Sequence, residues 1–65
     1  MNYVKSYYDL LFPDGTKEFV ETLNSMPMKG DYYVIEDKRW KVIGRTLEKK
    51  KQGNYLRWVI ELSEV

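Results

Sequence analysis

Apolar and polar residues alternate along much of this 65-residue chain, in short runs that end near proline or glycine. The first run covers residues 2–12, and one parity of it carries four apolar side chains: Val4, Tyr8, Leu10 and Phe12. Because successive side chains of a strand point to opposite faces, this run predicts a half-buried β-strand. The sequence Pro13-Asp14-Gly15 then predicts a hairpin turn, since proline presets the first turn position and Asp-Gly tolerates positive φ.

The segment 16–24 fits two structures. Phe19, Val20 and Leu23 would share one face of a short helical turn, whereas Phe19 and Leu23 would share one face of a strand. The hairpin-type turn before the segment favours a strand paired with the first one, and the helical turn remains the alternative. Residues 24–29 are expected to be irregular, because Pro27 has no N–H to donate to a ladder.

Three more strands are predicted over residues 32–36, 39–47 and 54–64. In the last strand one parity is apolar, and it consists of Leu56, Trp58, Ile60 and Leu62. An antiparallel register with Gly44 opposite Trp58 is preferred, and it places Val42 opposite Ile60, Trp40 opposite Leu62 and Arg45 opposite Arg57. A register shifted by two residues is the alternative.

Five short strands with turns between them predict an all-β, mainly antiparallel single domain over residues 1–65. A five-stranded SH3-like barrel or roll is the expected type, and an OB-like barrel is the alternative. The chain has neither cysteine nor histidine. This excludes disulfides, thiolate ligands and the commonest general base and zinc ligand, so we expect no metal site and no cofactor. The acids occupy turn and loop positions without catalytic spacing, which predicts a protein that is not an enzyme.

Charge is distributed unevenly although the net charge is only +1. Residues 38–57 contain eight basic side chains against a single acid, Glu48. A nucleic acid could bind here: lysines at the tip of the loop 48–53 and arginines on the adjacent strands would neutralise its phosphates. An aromatic ring beside them would stack on a base. A solvated hairpin tip explains the same lysines without any ligand. The candidate partner-binding residues are Lys41, Arg45, Lys49, Lys50, Lys51, Tyr55, Arg57 and Tyr32.

The aromatic residues suggest a further surface. Trp40 and Trp58 fall on the inward parity and are expected in the core. Outward tyrosines, together with three aliphatic residues, would expose much apolar area: Tyr3, Tyr7, Tyr32, Val34, Ile43 and Val59. This favours burial against a partner or a second copy, so a homodimer is one expectation. No apolar run approaches the roughly 20 residues that span a membrane, and a cytoplasmic protein is predicted.

Several motifs resemble a pattern in small uncharacterised proteins of bacteriophages and Gram-positive prophages. They are Met26-Pro27-Met28-Lys29-Gly30-Asp31, Tyr33-x-Ile35, Lys38-Arg39-Trp40-Lys41-Val42-Ile43 and the earlier Phe12-Pro13-Asp14-Gly15. The resemblance covers about two thirds of the chain and implies a small SH3-like barrel of viral origin. The second tyrosine, Tyr32, and the long loop 48–53 depart from the pattern. The resemblance carries over no functional residue.

Three functions follow as hypotheses. The first is a non-enzymatic phage or prophage protein that binds and modulates a bacterial host protein in the host cytoplasm. The second is a nucleic-acid-binding barrel that uses the basic sheet face and loop. The third is an oligomeric binder of a small anionic ligand, for example a nucleotide signal.

Overall fold

A computed structural model describes residues 4–49 and 56–65, which form one curled β-sheet. Its strands are β1 (Ser6–Leu11), β2 (Lys17–Thr22), β3 (Tyr32–Ile35), β4 (Lys38–Lys49) and β5 (Leu56–Glu64). They lie in the order β2-β1-β5-β4-β3, and every neighbouring pair is antiparallel except β1 and β5, which run parallel. The prediction of an all-β, mainly antiparallel small barrel is confirmed. The described residues contain no helix, so the segment 16–24 adopts the favoured strand.

The turn between β1 and β2 forms where the sequence predicts it. The Phe12 amide donates to the Thr16 carbonyl over 2.9 Å, and the Gly15 amide donates to the Phe12 carbonyl over 2.9 Å. Gly15 has a φ of +90°, a conformation that costs other residues a steric clash. The Asp14 carboxylate accepts hydrogen bonds from the Thr16 hydroxyl and amide, which hold the Asp14 pKa below its usual range.

The connection between β3 and β4 is tighter. Ile35 pairs with Lys38, so only Glu36 and Asp37 lie between the strands. Both have positive φ, +50° and +65°, the geometry of a type I′ turn. That turn matches the twist of a hairpin, but Glu36 is a residue that rarely adopts positive φ, and Asp37 stands where type I′ turns prefer glycine.

A β-bulge in β4 makes the preferred register wrong. Val42 lies opposite Leu62, but Gly44 lies opposite Glu61, so Ile43 is an extra residue on β4. The alternative register, shifted by two residues, therefore holds only before the bulge. Beyond it the pairing is shifted by three residues from the preferred one. Because the shift beyond the bulge is an odd number of residues, every side chain of β4 after Ile43 lies on the face opposite to the one predicted. The alternation of apolar and polar residues in the sequence does not reveal such a bulge.

The inner face of the sheet holds the core. Its buried members are Tyr8, Leu10, Val42, Ile60 and Leu62. The predicted core tryptophans, Trp40 and Trp58, are partly buried and pack against this cluster, whereas Leu56 is exposed at the end of β5.

The curl of the sheet brings non-adjacent strands together. The hydroxyl oxygens of Tyr8 on β1 and Tyr33 on β3 lie 3.0 Å apart, although β5 and β4 separate these strands in the sheet. The Phe12 and Trp40 rings meet edge to face, with their centroids 5.0 Å apart. The sheet is thus a half-barrel, and its open seam lies between the edge strands β2 and β3.

The outer face also contains buried residues. Asp9 is 7% exposed and its neighbour across the parallel pair, Val59, is 3% exposed. The expectation that Val59 is exposed is wrong, because β5 is the central strand and side chains from strands on both sides surround it. Tyr7, Tyr32, Val34 and Ile43 are exposed as predicted. Within the described ranges, the structure has no helix that could cross a membrane.

Candidate binding face on β3 and β4

The structure distributes the predicted partner-binding residues over separate places. Lys41 and Tyr32 are directly opposite each other on β4 and β3. Arg45 and Lys49 lie beyond the bulge on the inner side of β4, and Arg57 lies on the outer side of β5. Lys50, Lys51 and Tyr55, as well as Tyr3, lie outside the described residues.

The outer side of the β3–β4 hairpin brings cations and an aromatic ring together. Tyr32 is 51% exposed, and the Arg39 guanidinium carbon lies 4.0 Å from the centroid of its ring. Arg39 pairs with Val34 across the strands and Tyr32 pairs with Lys41, so the stacked pair is diagonal. The guanidinium therefore leans from β4 over β3, towards the free edge of the sheet. We call Tyr32, Val34, Arg39 and Lys41 the hairpin face.

The hairpin face is apolar as well as basic. Val34 is 68% exposed, and Ile43, at the bulge that follows Lys41 on β4, is 47% exposed. Among the described residues, no carboxylate lies within ion-pair distance of Arg39 or Lys41. Nothing in that part of the chain therefore neutralises the two cations, which remain free to meet an anionic group from outside.

Arg45 lies elsewhere because of the bulge. It is opposite Ile60 and places its guanidinium carbon 4.7 Å from the centroid of the Trp58 ring. The expected contact between Arg45 and Arg57 is wrong, since Arg57 is opposite Glu48 and points to the other face. Lys49 pairs with Leu56 at the far end of the same inner side.

Arg57 is occupied by contacts within the protein. Its Nε lies 3.3 Å from Oδ2 of the largely buried Asp9, and its guanidinium carbon lies 4.8 Å from the centroid of the Phe19 ring. Tyr7 stacks with Phe19, and the centroids of the two rings lie 6.3 Å apart. These contacts satisfy the charge of Arg57 and leave it little capacity for a phosphate.

A second candidate site is a cleft of about 360 Å³ at the end of the inner face. It is lined by Phe12, Pro13, Asp14, Thr16, Lys38, Trp40 and Glu64. The Lys38 ammonium lies 2.8 Å from the Glu64 carboxylate and 4.8 Å from the centroid of the Trp40 ring. Two acids against one lysine make this cleft an unfavourable site for an anion.

The titratable groups of the described chain show no catalytic arrangement. Burial and then the hydrogen bond to Tyr33 raise the pKa of the Tyr8 hydroxyl far above its usual range. A hydroxyl with a raised pKa is a poor general base at neutral pH. No cluster of acids in residues 4–49 and 56–65 is placed to hold a metal ion.

Sequence reasoning included Tyr32 and Lys41 but missed Arg39. The sequence did place Arg39 on the same face as Lys41, because the two residues are two positions apart and share a parity in the predicted strand. What the sequence does not contain is the diagonal stacking across the hairpin, since this depends on the Glu36-Asp37 turn and the register that it sets.

No protein-family model matches the chain, and comparisons with curated proteins and with solved structures likewise found no match.

Proposed function

We propose that this protein is a non-enzymatic binding module whose hairpin face docks on an acidic surface of a partner protein. The observation that carries this proposal is the exposed Tyr32 ring beneath the Arg39 guanidinium, with Lys41 opposite it. Tyrosine and arginine, together with tryptophan, are enriched among the residues that dominate binding energy at protein interfaces. The two cations give the face its preference for an acidic partner.

The contact between Arg39 and Tyr32 forms without a partner protein. A cation–π contact at an exposed site contributes about 0.5–1 kcal/mol, which is enough to restrict the rotamers of a long arginine side chain. Less side-chain entropy is then lost when a partner binds, so more of the contact energy appears as affinity. The exposed Val34 adds apolar area beside the ring.

Nucleic acid is the second candidate, but the geometry favours it less. A phosphate backbone requires several cations along one continuous surface. Arg45, Arg57 and Lys41 occupy three separate places, and Arg57 is paired with Asp9. A small anionic ligand has still less support, because the cleft beside Trp40 contains Asp14 and Glu64.

The resemblance to phage and prophage proteins supplies the proposed biological setting. A small β-sheet with no catalytic arrangement among its described residues fits a protein that acts by covering a surface of another protein. We therefore place the partner among bacterial host proteins in the cytoplasm. Self-association through an exposed face is a further part of the proposal, and light scattering measures it directly.

The test is affinity capture from a bacterial lysate with matched variants. Tyr32→Ala is compared with Tyr7→Ala, because both tyrosines are 51% exposed on the outer face and only Tyr32 belongs to the hairpin face. We expect Tyr32→Ala and Arg39→Glu to lose a protein that the wild type and Tyr7→Ala retain, and added salt to weaken its capture. Equal capture by all four baits would count against the hairpin face as the binding site.

A further inference from the structure

The edge of β3 offers unpaired main-chain groups beside the hairpin face. In an antiparallel pair, residues alternate between exchanging hydrogen bonds with the partner strand and directing them away. The Val42 amide donates to the Asp31 carbonyl over 2.8 Å, and Ile35 and Lys38 close the tight turn at the other end. By this alternation, Tyr32 and Val34 direct their N–H and C=O groups away from β4, towards the open seam.

No described backbone group pairs with those of Tyr32 and Val34 on that side, because β3 is the last strand of the sheet. The edge also lacks features that usually block strand pairing. The strand β3 has no proline, and the two side chains that it places on the outer face, Tyr32 and Val34, carry no charge. An added strand would therefore gain main-chain hydrogen bonds without displacing any within the described chain.

An open cleft lies in the seam beside this edge. A cleft of about 300 Å³ lies there, lined by Tyr8, Thr22, Asn24, Ser25, Pro27, Tyr32, Tyr33 and Val34. On the inner side it presents hydroxyl and amide groups, including the paired Tyr8 and Tyr33 hydroxyls. On the outer side of the sheet, the Arg39 guanidinium lies over the ring of Tyr32, which is one of the lining residues. The side chains of an added strand would thus contact neutral polar groups on the inner side and a cation on the outer side.

We propose that the edge of β3 binds an extended acidic peptide segment by strand addition. Acidic side chains of the segment lie on the outer side, where they reach Arg39, and small polar side chains lie on the inner side, in the cleft. This proposal rests on the proposed function and gives it a geometry: the partner contributes a strand that extends the sheet beyond β3. A second copy of this chain fits less well, because two hairpin faces side by side would bring like charges together.

The probe is a labelled, end-blocked peptide of about six residues, the usual length of a strand, in which Glu and Thr alternate. A Lys/Thr peptide of equal length is the control. We expect the Glu/Thr peptide to bind the full chain saturably below about 1 mM and the Lys/Thr peptide not to bind. Amide hydrogen exchange should slow at Tyr32 and Val34 when the Glu/Thr peptide is added.

One substitution separates strand addition from side-chain contact. Val34→Pro removes the outward N–H but no ladder hydrogen bond, and proline is tolerated on an edge strand when its nitrogen faces solvent. Val34→Ala removes the side chain and keeps the N–H. We expect Val34→Pro to bind the peptide at least about tenfold more weakly than Val34→Ala does, because the two variants lack the same side chain and only the proline lacks the N–H. Near-ultraviolet circular dichroism verifies that both variants fold, and the exchange measurement on the wild type needs no variant.

Three results would overturn strand addition. The first is equal binding by Val34→Pro and Val34→Ala with unchanged exchange at Tyr32 and Val34 in the wild type, which leaves the hairpin face as a side-chain site. The second is no binding of the Glu/Thr peptide at about 1 mM. The third is protection of Val34 that grows with protein concentration in the absence of peptide, which would assign the edge to a second copy. The lysate capture with Tyr32→Ala tests the proposed function separately from all three.

Discussion

Arg57 and Asp9 form a largely buried ion pair across the parallel strands β1 and β5. Arg57 Nε lies 3.3 Å from Asp9 Oδ2, and the exposed fractions of the two side chains are 32% and 10%. The aliphatic part of such an arginine and its guanidinium plane cover apolar neighbours as well as the acid. Here the covered neighbour is Phe19, whose ring lies under the guanidinium. This pair joins β1, β2 and β5 on the outer face, opposite the main core.

Arg57→Ala should lower the free energy of unfolding by about 2 kcal/mol. Removing one partner of a fully buried pair costs about 3–5 kcal/mol, and the partial exposure of Arg57 reduces that figure. The control is Arg45→Ala, which loses a stacking contact with Trp58 but leaves no carboxylate of the described residues unpaired, and it should cost less than about 1 kcal/mol. Urea unfolding followed by tryptophan fluorescence measures both. Equal losses of unfolding free energy in the two variants would show that the ion pair with Asp9 adds nothing to the contribution of Arg57.

The turn between β3 and β4 should be open to stabilisation. Glu36 and Asp37 adopt φ values of +50° and +65°, where most residues with a side chain are disfavoured by about 1–2 kcal/mol and aspartate by less. The double substitution Glu36→Asn with Asp37→Gly supplies the residues that type I′ turns prefer. We expect it to raise the free energy of unfolding by about 1–2 kcal/mol and the melting temperature by several degrees. An unchanged or lower melting temperature would contradict the assigned turn.

The sequence was most informative where local chemistry determines the structure. The parity of Tyr8 and Leu10, the turn at Pro13-Asp14-Gly15 and the strand over β2 all follow from alternation and turn preferences. Non-local features were not predictable in the same way. The parallel contact of β1 with β5 and the curl that joins Tyr8 to Tyr33 depend on how distant strands assemble.

One residue explains most of the error in the predicted site. Ile43 forms the bulge of β4, and its insertion turns Arg45 away from Arg57. Nothing in the alternation of Val42, Ile43 and Gly44 distinguishes a bulge from a regular strand. The basic surface expected from the sequence is therefore divided, while Tyr32 and Lys41 lie before the bulge and remain together.

The glycine at this bulge should tolerate a side chain. Gly44 was expected beside the Trp58 ring, but its neighbour is Glu61, with Oε2 3.4 Å from the position of an added Cβ. That is an ordinary contact, and φ at Gly44 lies outside the left-handed region, so Gly44→Ala should change the free energy of unfolding by less than about 0.5 kcal/mol. Gly15→Ala, at a φ of +90°, should cost about 1–2 kcal/mol. Thermal melts of both variants provide the comparison, and a large loss in Gly44→Ala would contradict the described bulge.

Stability should fall at alkaline pH because of Tyr8. Burial and the hydrogen bond to Tyr33 raise the pKa of Tyr8 above its unfolded value of about 10, so the folded state holds the proton more tightly. The stabilisation is complete below that unfolded pKa and is lost as the pH rises above it. Tyr8→Phe should cost about 1 kcal/mol at pH 7 and should flatten the decline in stability between about pH 10 and 12.

Tyr33→Phe provides the matched comparison for this pH effect. It removes the hydrogen bond but leaves Tyr8 buried, and burial is the larger cause of the raised pKa. Most of the alkaline loss should therefore persist in Tyr33→Phe. Urea unfolding at a series of pH values measures it. If the alkaline decline in the free energy of unfolding disappears in Tyr33→Phe and persists in Tyr8→Phe, the titrating group would be Tyr33 rather than Tyr8.

The most direct measurement of the proposed binding face is site-specific photo-crosslinking. A benzoylphenylalanine crosslinker replaces Tyr32 in one variant and Tyr7 in another, since both positions carry the same residue type and are 51% exposed. In a bacterial lysate we predict a discrete crosslinked protein from position 32, none from position 7, and loss of the product when Arg39→Glu and Lys41→Glu are added. Equal products from both positions, a product from position 7 alone, or a product insensitive to the charge reversals would contradict binding through the hairpin face.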